Sequence, residues 1–288
     1  MAEDPRKPAR ASAREQARKI HAEQERKQRR TSVLLRVGVI IVAVAIVAGL
    51  VFWVVNRNGN GDDAAEAEGP APAVANEQGG FTVTAEGELV GGADMGTVDA
   101  EDVSGEGDSD LPAGVVEREE GEKPHVVIYV DANCVHCASF EEENSDQLEQ
   151  WVDEELITLE YRPVGFLDGN SGTNYSSRAS NAFTCMAEES PENYLDYVGS
   201  VVANQPNGEL SDDELAAWAQ DNYDVDISEC ISDGTYRAFA SYATAQAQAE
   251  GVSGTPTVYV DDVDWAESET PFQELAQSHI DEYEDEAS

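Results

Sequence analysis

Positive charge is what this 288-residue chain has least of: 17 Lys and Arg stand against 59 Asp and Glu, a formal net charge of -42. The scarcity is uneven. Residues 1–36 hold 11 of the cations with five acidic residues, so the other 252 residues carry six cations against 54 carboxylates. A body this acidic is repelled by phosphate backbones and by anionic lipid, which excludes nucleic acid as its partner. Solubility is the plainest use of such charge, and a carboxylate-rich surface also suits high or variable salt, where screening shortens self-repulsion. Other signatures are missing as well. There is no phosphate-binding loop, no His-Glu-x-x-His pair, no nucleophile elbow and no internal repeat. No two carboxylates stand out from so many, so no hydrolytic role is assigned to them.

Charge is absent altogether between Arg36 and Arg57, where Val37–Val55 runs through Val, Ile, Ala, Leu and Gly to Phe52 and Trp53. Nineteen residues of helix span roughly 28 Å, the hydrocarbon thickness of a bilayer, and Trp53 stands where an interfacial aromatic is expected. The run begins after 36 polar residues and continues into Asn56-Arg57-Asn58 without a small-residue cleavage site, which separates it from a signal peptide. The expectation is one uncleaved transmembrane helix over 37–55. Eleven cations precede it and a single Arg follows closely, placing the basic segment 1–36 in the cytoplasm and the rest outside the cell membrane.

From Asn58 to Gln78 the chain is mostly Gly, Asp, Ala, Glu, Asn and Pro with almost no large apolar side chain, so a flexible acidic linker is expected over 56–78. A folded domain is expected over 79–285. It opens with short strands at Phe81–Thr84 and Glu88–Val90 around Gly87, then a second acidic stretch over 99–110. The strongest strand signal is His125–Val130, a continuous apolar run of the kind buried on both faces of a parallel sheet. A helix follows with Phe140, Leu148 and Trp151 inward and an acidic outer side, then a strand over Ile157–Arg162. From Tyr175 to Glu250 the periodicity is helical, with breaks at Pro191, Gln205–Gly208 and Asp224–Asp226, giving about four helices inserted over 171–250. A last strand, Thr257–Val260, and a helix over Pro271–Tyr283 complete an α/β reading.

The four cysteines divide unequally. Cys134 and Cys137 lie three apart at the start of a helix, where a disulfide closes a small ring that is readily broken and reformed. The helix N-terminus favours the Cys134 thiolate, and His136 can add cationic stabilisation, while Asp131 and its acidic surroundings push the other way. In the expected chemistry Cys134 forms a mixed disulfide and Cys137, one turn deeper and more buried, resolves it. Alternatives remain open. The pair could be a structural disulfide in an inactive binding module, or could bind copper together with a His. Zinc is less suited, since Cys185 and Cys230 are too far apart in sequence to make the usual second pair. His21, His125 and His279 have no partner motif and read as surface or domain-edge residues. Trp151 and Trp218 read as packing residues.

A strand ending in Cys134-Val135-His136-Cys137 at a helix start, a helical insertion, and Gly254-Thr255-Pro256 opening a late strand together resemble the DsbA-like branch of the thioredoxin superfamily. The resemblance covers roughly residues 79–285 and lies particularly with membrane-tethered proteins of Gram-positive actinobacteria. It implies a thioredoxin-like fold and a thiol-disulfide oxidoreductase that uses no cofactor beyond its own disulfide. It implies a cis Thr255-Pro256 peptide beside the cysteines, with the Thr255 backbone pairing to an extended substrate by strand addition. Reduced secreted or wall-associated proteins are the implied substrates, with reoxidation by a quinone-linked or vitamin K epoxide reductase-like membrane partner. One departure stands out: the acidic residue many thioredoxin-fold enzymes bury six positions before the first cysteine is here Ile128, leaving water or His136 to serve Cys137. A bond between Cys185 and Cys230 would staple the helical block and stabilise it by roughly 4 kcal/mol. A second redox relay is the rival reading of that pair. Reductase or isomerase activity would use the same Cys134 and Cys137, so direction is left open.

Overall fold

The computed structural model describes residues 68–103 and 111–286. The basic head, the apolar run 37–55, His21 and residues 56–67 of the expected linker lie outside them. Among the described residues no helix is long and apolar enough to cross a membrane.

The sheet is built around β5 (His125–Val130), whose β-branched and aromatic side chains are buried on both faces. Val126, Ile128 and Val130 enter the main core, while Val127 and Tyr129 enter a smaller one with Val115, Val164 and Val252. On one side β5 runs parallel to β6 (Thr158–Pro163), with His125 opposite Thr158 and Val130 opposite Pro163. Parallel neighbours need a crossover, and α1 (Val135–Asp153) supplies it. On the other side β7 (Thr257–Val260) runs antiparallel, with Tyr129 opposite Thr257. Short strands β2 (Phe81–Val83), β3 (Leu89–Val90) and β8 (Val263–Asp264) complete the order β3-β2-β6-β5-β7-β8.

Five helices stand between β6 and β7 where about four were expected: α2 (Tyr175–Glu189), α3 (Tyr194–Ala203), α4 (Asp212–Tyr223), α5 (Ser228–Ser232) and α6 (Arg237–Ala249). The extra break falls after Ser232, in a turn where Gly234 takes φ +60°. Such a φ suits a residue without Cβ. α2 is buried nearly all round, and its small polar residues satisfy themselves locally, as Thr184 does by donating to the Ser180 carbonyl at 2.9 Å. The final helix, α7 (Phe272–Glu286), seats Phe272 against Phe140 and Trp151 of α1. Trp151 is a core residue as expected, and Trp218 is half-buried, donating to Ser200 Oγ at 3.0 Å.

The linker reading needs correction over residues 68–78. β1 (Glu68–Pro70) pairs with β4 (Thr97–Asp99), a strand whose last residue opens the expected acidic stretch 99–110. Ala75 is fully buried and Asn76 donates to Glu160 at 2.8 Å. These residues carry little apolar area of their own; they are held because α6 presents an alanine face they can approach closely. A Cβ on Gly69 would meet the Cβ of Ala238 at 2.7 Å, and one on Gly79 would meet that of Ala243 at 2.5 Å, so both approaches require glycine.

Candidate active site

β5 ends in Asp131-Ala132-Asn133, a turn tied down by one buried carboxyl. Asp131 accepts from the backbone N–H groups of Asn133 at 2.8 Å and Leu167 at 2.9 Å, and its carbonyl accepts from Cys134 N at 3.0 Å. Burial pushes its carboxyl up to about 6. The turn sets Cys134 as the N-cap of α1, its Sγ 3.4 Å from the backbone N–H of Cys137. β7 brings its leading residues to the same place. The Thr255-Pro256 peptide is cis, and the Thr255 carbonyl lies 3.2 Å from Cys134 Sγ.

Both cysteines are free thiols, Cys134 6% exposed and Cys137 1%. Their acidities part sharply. A hydrogen bond from the Cys137 thiol is the main influence holding Cys134 down to about 5, assisted by Thr255 and by the backbone N–H groups of Cys137 and His136, against the opposing effect of burial. Burial pushes Cys137 far above the usual thiol range, and donating to Cys134 raises it further. One sulfur is therefore a stable thiolate at neutral pH, and the other is a thiol that needs help to ionise.

His136 lies exposed, and its backbone N–H is one of the groups that favour the Cys134 thiolate. The Asp131 carboxyl is engaged by the N–H groups of Asn133 in its own turn and of Leu167 after β6. Ile128 occupies the strand beneath the cysteines, fully buried.

Sequence reasoning missed Glu141. The acidic side of α1 is expected to face outward, yet Glu141 is 1% exposed, with both carboxylate oxygens 3.0 Å from the Tyr161 hydroxyl of β6. The signal was present. Residues 137, 140, 141, 144, 148 and 151 form the inward stripe of the helix, and Glu141 sits inside it.

The other two cysteines are bonded, Cys185 of α2 to Cys230 of α5, across 45 residues of sequence. Among the described residues the other two histidines lie against carboxylates: His125 Nε2 is 3.2 Å from Glu160, and His279 Nδ1 is 2.7 Å from Asp261. Among the described residues no group of three or more His, Cys, Asp or Glu side chains is placed to hold a metal ion.

The structure thus brings Cys134 and Cys137 at the start of α1 together with the cis Thr255-Pro256 peptide before β7. Comparison with known proteins agrees. The thioredoxin family model matches residues 119–282, more than half of the chain, and the chain belongs to that family as a DsbA-like protein disulfide oxidoreductase. Among solved structures, the reduced disulfide bond oxidoreductase DsbG from Mycobacterium tuberculosis is 26% identical, with a TM-score of 0.50, over 64% of this chain and 91% of that one. The thiol-disulfide oxidoreductase MdbA from Corynebacterium diphtheriae is 18% identical over 76% of this chain and all of that one, with a TM-score of 0.50, a likeness of fold. A second family model, the inhibitor of host cell division protein domain, matches residues 10–68, a fifth of the chain that falls almost wholly outside the described residues. No curated protein matches the sequence.

Proposed function

We propose that Cys134 and Cys137 are the redox pair of an extracytoplasmic oxidase that introduces disulfides into secreted or wall-associated proteins. The observation that carries this is the split between the two sulfurs: a Cys134 thiolate held down to about 5 at a helix start, beside cis Thr255-Pro256, with Cys137 buried behind it. A stable thiolate is a good leaving group, and stabilising the reduced form makes the disulfide oxidising. In the working direction a substrate thiolate attacks Cys134 Sγ of the oxidised pair, and Cys137 departs with the electrons of the broken S–S bond. A second substrate thiolate then attacks its partner sulfur in the mixed disulfide and releases Cys134, leaving the substrate oxidised and the pair reduced. Strand addition of an extended substrate segment alongside the Thr255 backbone fits the 3.2 Å approach of its carbonyl to Cys134 Sγ, and Val135 beside Cys134 is exposed.

The setting supports the same reading. Eleven cations before the apolar run 37–55 and one just after it favour a single-pass anchor with the redox domain outside. A disulfide between Cys185 and Cys230 fits an oxidising compartment, and we assign it a structural role. Reoxidation then falls to a quinone-linked or vitamin K epoxide reductase-like membrane protein.

The test is the reduction potential of the Cys134 and Cys137 pair in glutathione buffers, with a Cys137→Ser variant to trap mixed disulfides. A potential near about -120 mV with trapped substrates is expected, whereas one near about -270 mV makes the protein a reductase. Absence of exchange at Cys134 would overturn the assignment of the pair.

A further inference from the structure

We propose that Glu141 is the proton acceptor and donor for Cys137 in the disulfide step, acting through the buried cluster it forms with Tyr161. This rests on reading Cys134 and Cys137 as the redox pair. Cys137 must lose its proton to attack and regain one when displaced, yet it is 1% exposed, so bulk water has little access to it. Glu141 lies four residues further along α1 on the same face, where helix geometry sets side chains about 5–6 Å apart at Cβ. Tyr161 feels both groups: its hydroxyl donates to the Glu141 carboxylate, and Cys137 is among the charges that act on it.

The surroundings leave Glu141 free to change charge. From β6 it meets Tyr161, and from α3 the buried Tyr194, whose hydroxyl has no hydrogen-bond partner; on its own helix the nearest titratable residue of the buried stripe is Cys137, one turn earlier. No cation faces it from any of these elements. Burial pushes its carboxyl up to about 7, with the Tyr161 hydroxyl pulling in the other direction. A buried carboxyl without a cation is costly when ionised and so holds its proton loosely near neutral pH. On the fourth side, a Cβ at Gly199 of α3 would sit 3.5 Å from Oε2, so the cluster is closed to solvent there.

In the forward test reaction Cys134 thiolate attacks glutathione disulfide, forming a mixed disulfide and releasing one glutathione thiolate. Cys137 then passes its proton to the Glu141 carboxylate, and its sulfur attacks Cys134 Sγ. The bond from Cys134 to glutathione breaks, and the second glutathione leaves with the electron pair. The protein pair is oxidised and one glutathione disulfide is reduced to two thiols. In the oxidase direction the same carboxyl, protonated, returns the proton to departing Cys137.

The experiment follows both steps by rapid acid quench and mass spectrometry, using reduced full-length protein and glutathione disulfide between pH 5.5 and 8.5. In the natural protein the second step should accelerate through about pH 7, as Glu141 ionises. Glu141→Gln should leave the first step unchanged, slow the second by about tenfold or more at pH 8, and remove the inflection. Tyr161→Phe, which removes the donor favouring the carboxylate, should keep the inflection and move it to higher pH. A Glu141→Gln protein with the natural second-step rate and pH profile would overturn the proposal, as would a Tyr161→Phe inflection that stays in place. Failure of Cys134 to form a mixed disulfide in the Cys137→Ser variant would instead remove the redox pair itself, and this inference with it.

Discussion

Two glutamates are buried against neighbouring residues of β6, and they behave in opposite ways. Glu160, 2% exposed, lies 2.6 Å from Arg162 Nε and 3.2 Å from His125 Nε2, and accepts from Asn76 at 2.8 Å. Burial alone would raise its carboxyl, but His125 and Arg162 hold it down at about 2. Glu141, equally buried, meets the hydroxyl of Tyr161 and no cation, and sits at about 7. Side chains of adjacent strand residues point to opposite faces, so one peptide unit separates an ionised network from a titrating one. With only six cations after residue 36, where each cation goes decides which carboxyls are fixed as charges and which can move protons. Arg162 is spent on structure: its Nη1 also donates to Tyr129 at 2.7 Å, and Tyr129 in turn donates to Glu250 at 3.1 Å.

The largest expected effect comes from breaking the ionised side. Arg162→Leu leaves Glu160 buried without its main cation, and urea unfolding should show a loss of about 3–5 kcal/mol. In the natural protein Glu160 has a folded pKa below its unfolded one. Its contribution is therefore complete above the ordinary carboxylate range, near 4.5, and is lost as pH falls toward about 2. The variant should show a shallower acid limb.

Removing the Cys185 and Cys230 bond with a double Ser substitution should cost roughly 4 kcal/mol. That loss should be nearly the same from pH 5 to 8, because the staple does not titrate, and the Cys134 and Cys137 potential should stay in place. A potential that moves would favour a second redox role for the staple.

A smaller effect of opposite sign is expected at Glu141. Its folded pKa lies above the unfolded one, so the folded state holds the extra proton between about pH 4.5 and 7, and stability falls as pH rises through that window. Glu141→Gln should abolish this slope and make the protein more stable than its parent at pH 8, by about 1–3 kcal/mol, with the gain vanishing near pH 5. A destabilised variant at pH 8 would mean that the carboxylate is paired after all. The smallest effect is expected at His136→Ala: the backbone N–H remains, so the Cys134 pKa should hardly change.

The sequence carries the parts of this site that are local. The apolar run His125–Val130, the Cys-x-x-Cys at the helix start and the Thr-Pro before a strand each announce a backbone feature within a few residues, and the fold assembles them at one end of the sheet. What it conceals depends on distant partners. Residues 68–78 look like linker because their anchors, the alanine face of α6 and Glu160, lie far away in the chain. The Cys134 balance turns on which atoms face the sulfur, a thiol, a threonine and backbone N–H groups, and these are set by the fold rather than by residue type. Glu141 was legible from its place in the helical stripe, but in so acidic a chain one more glutamate drew no notice.

The most direct test of the central claim is the pH titration of Cys134 in the reduced protein, read from thiolate ultraviolet absorbance and from its alkylation rate by mass spectrometry. A midpoint near 5, with Cys137 unreactive throughout, is the predicted result. A midpoint in the ordinary free-thiol range, about 8.5, would contradict the account, because the disulfide would then have no stabilised leaving group to make it oxidising.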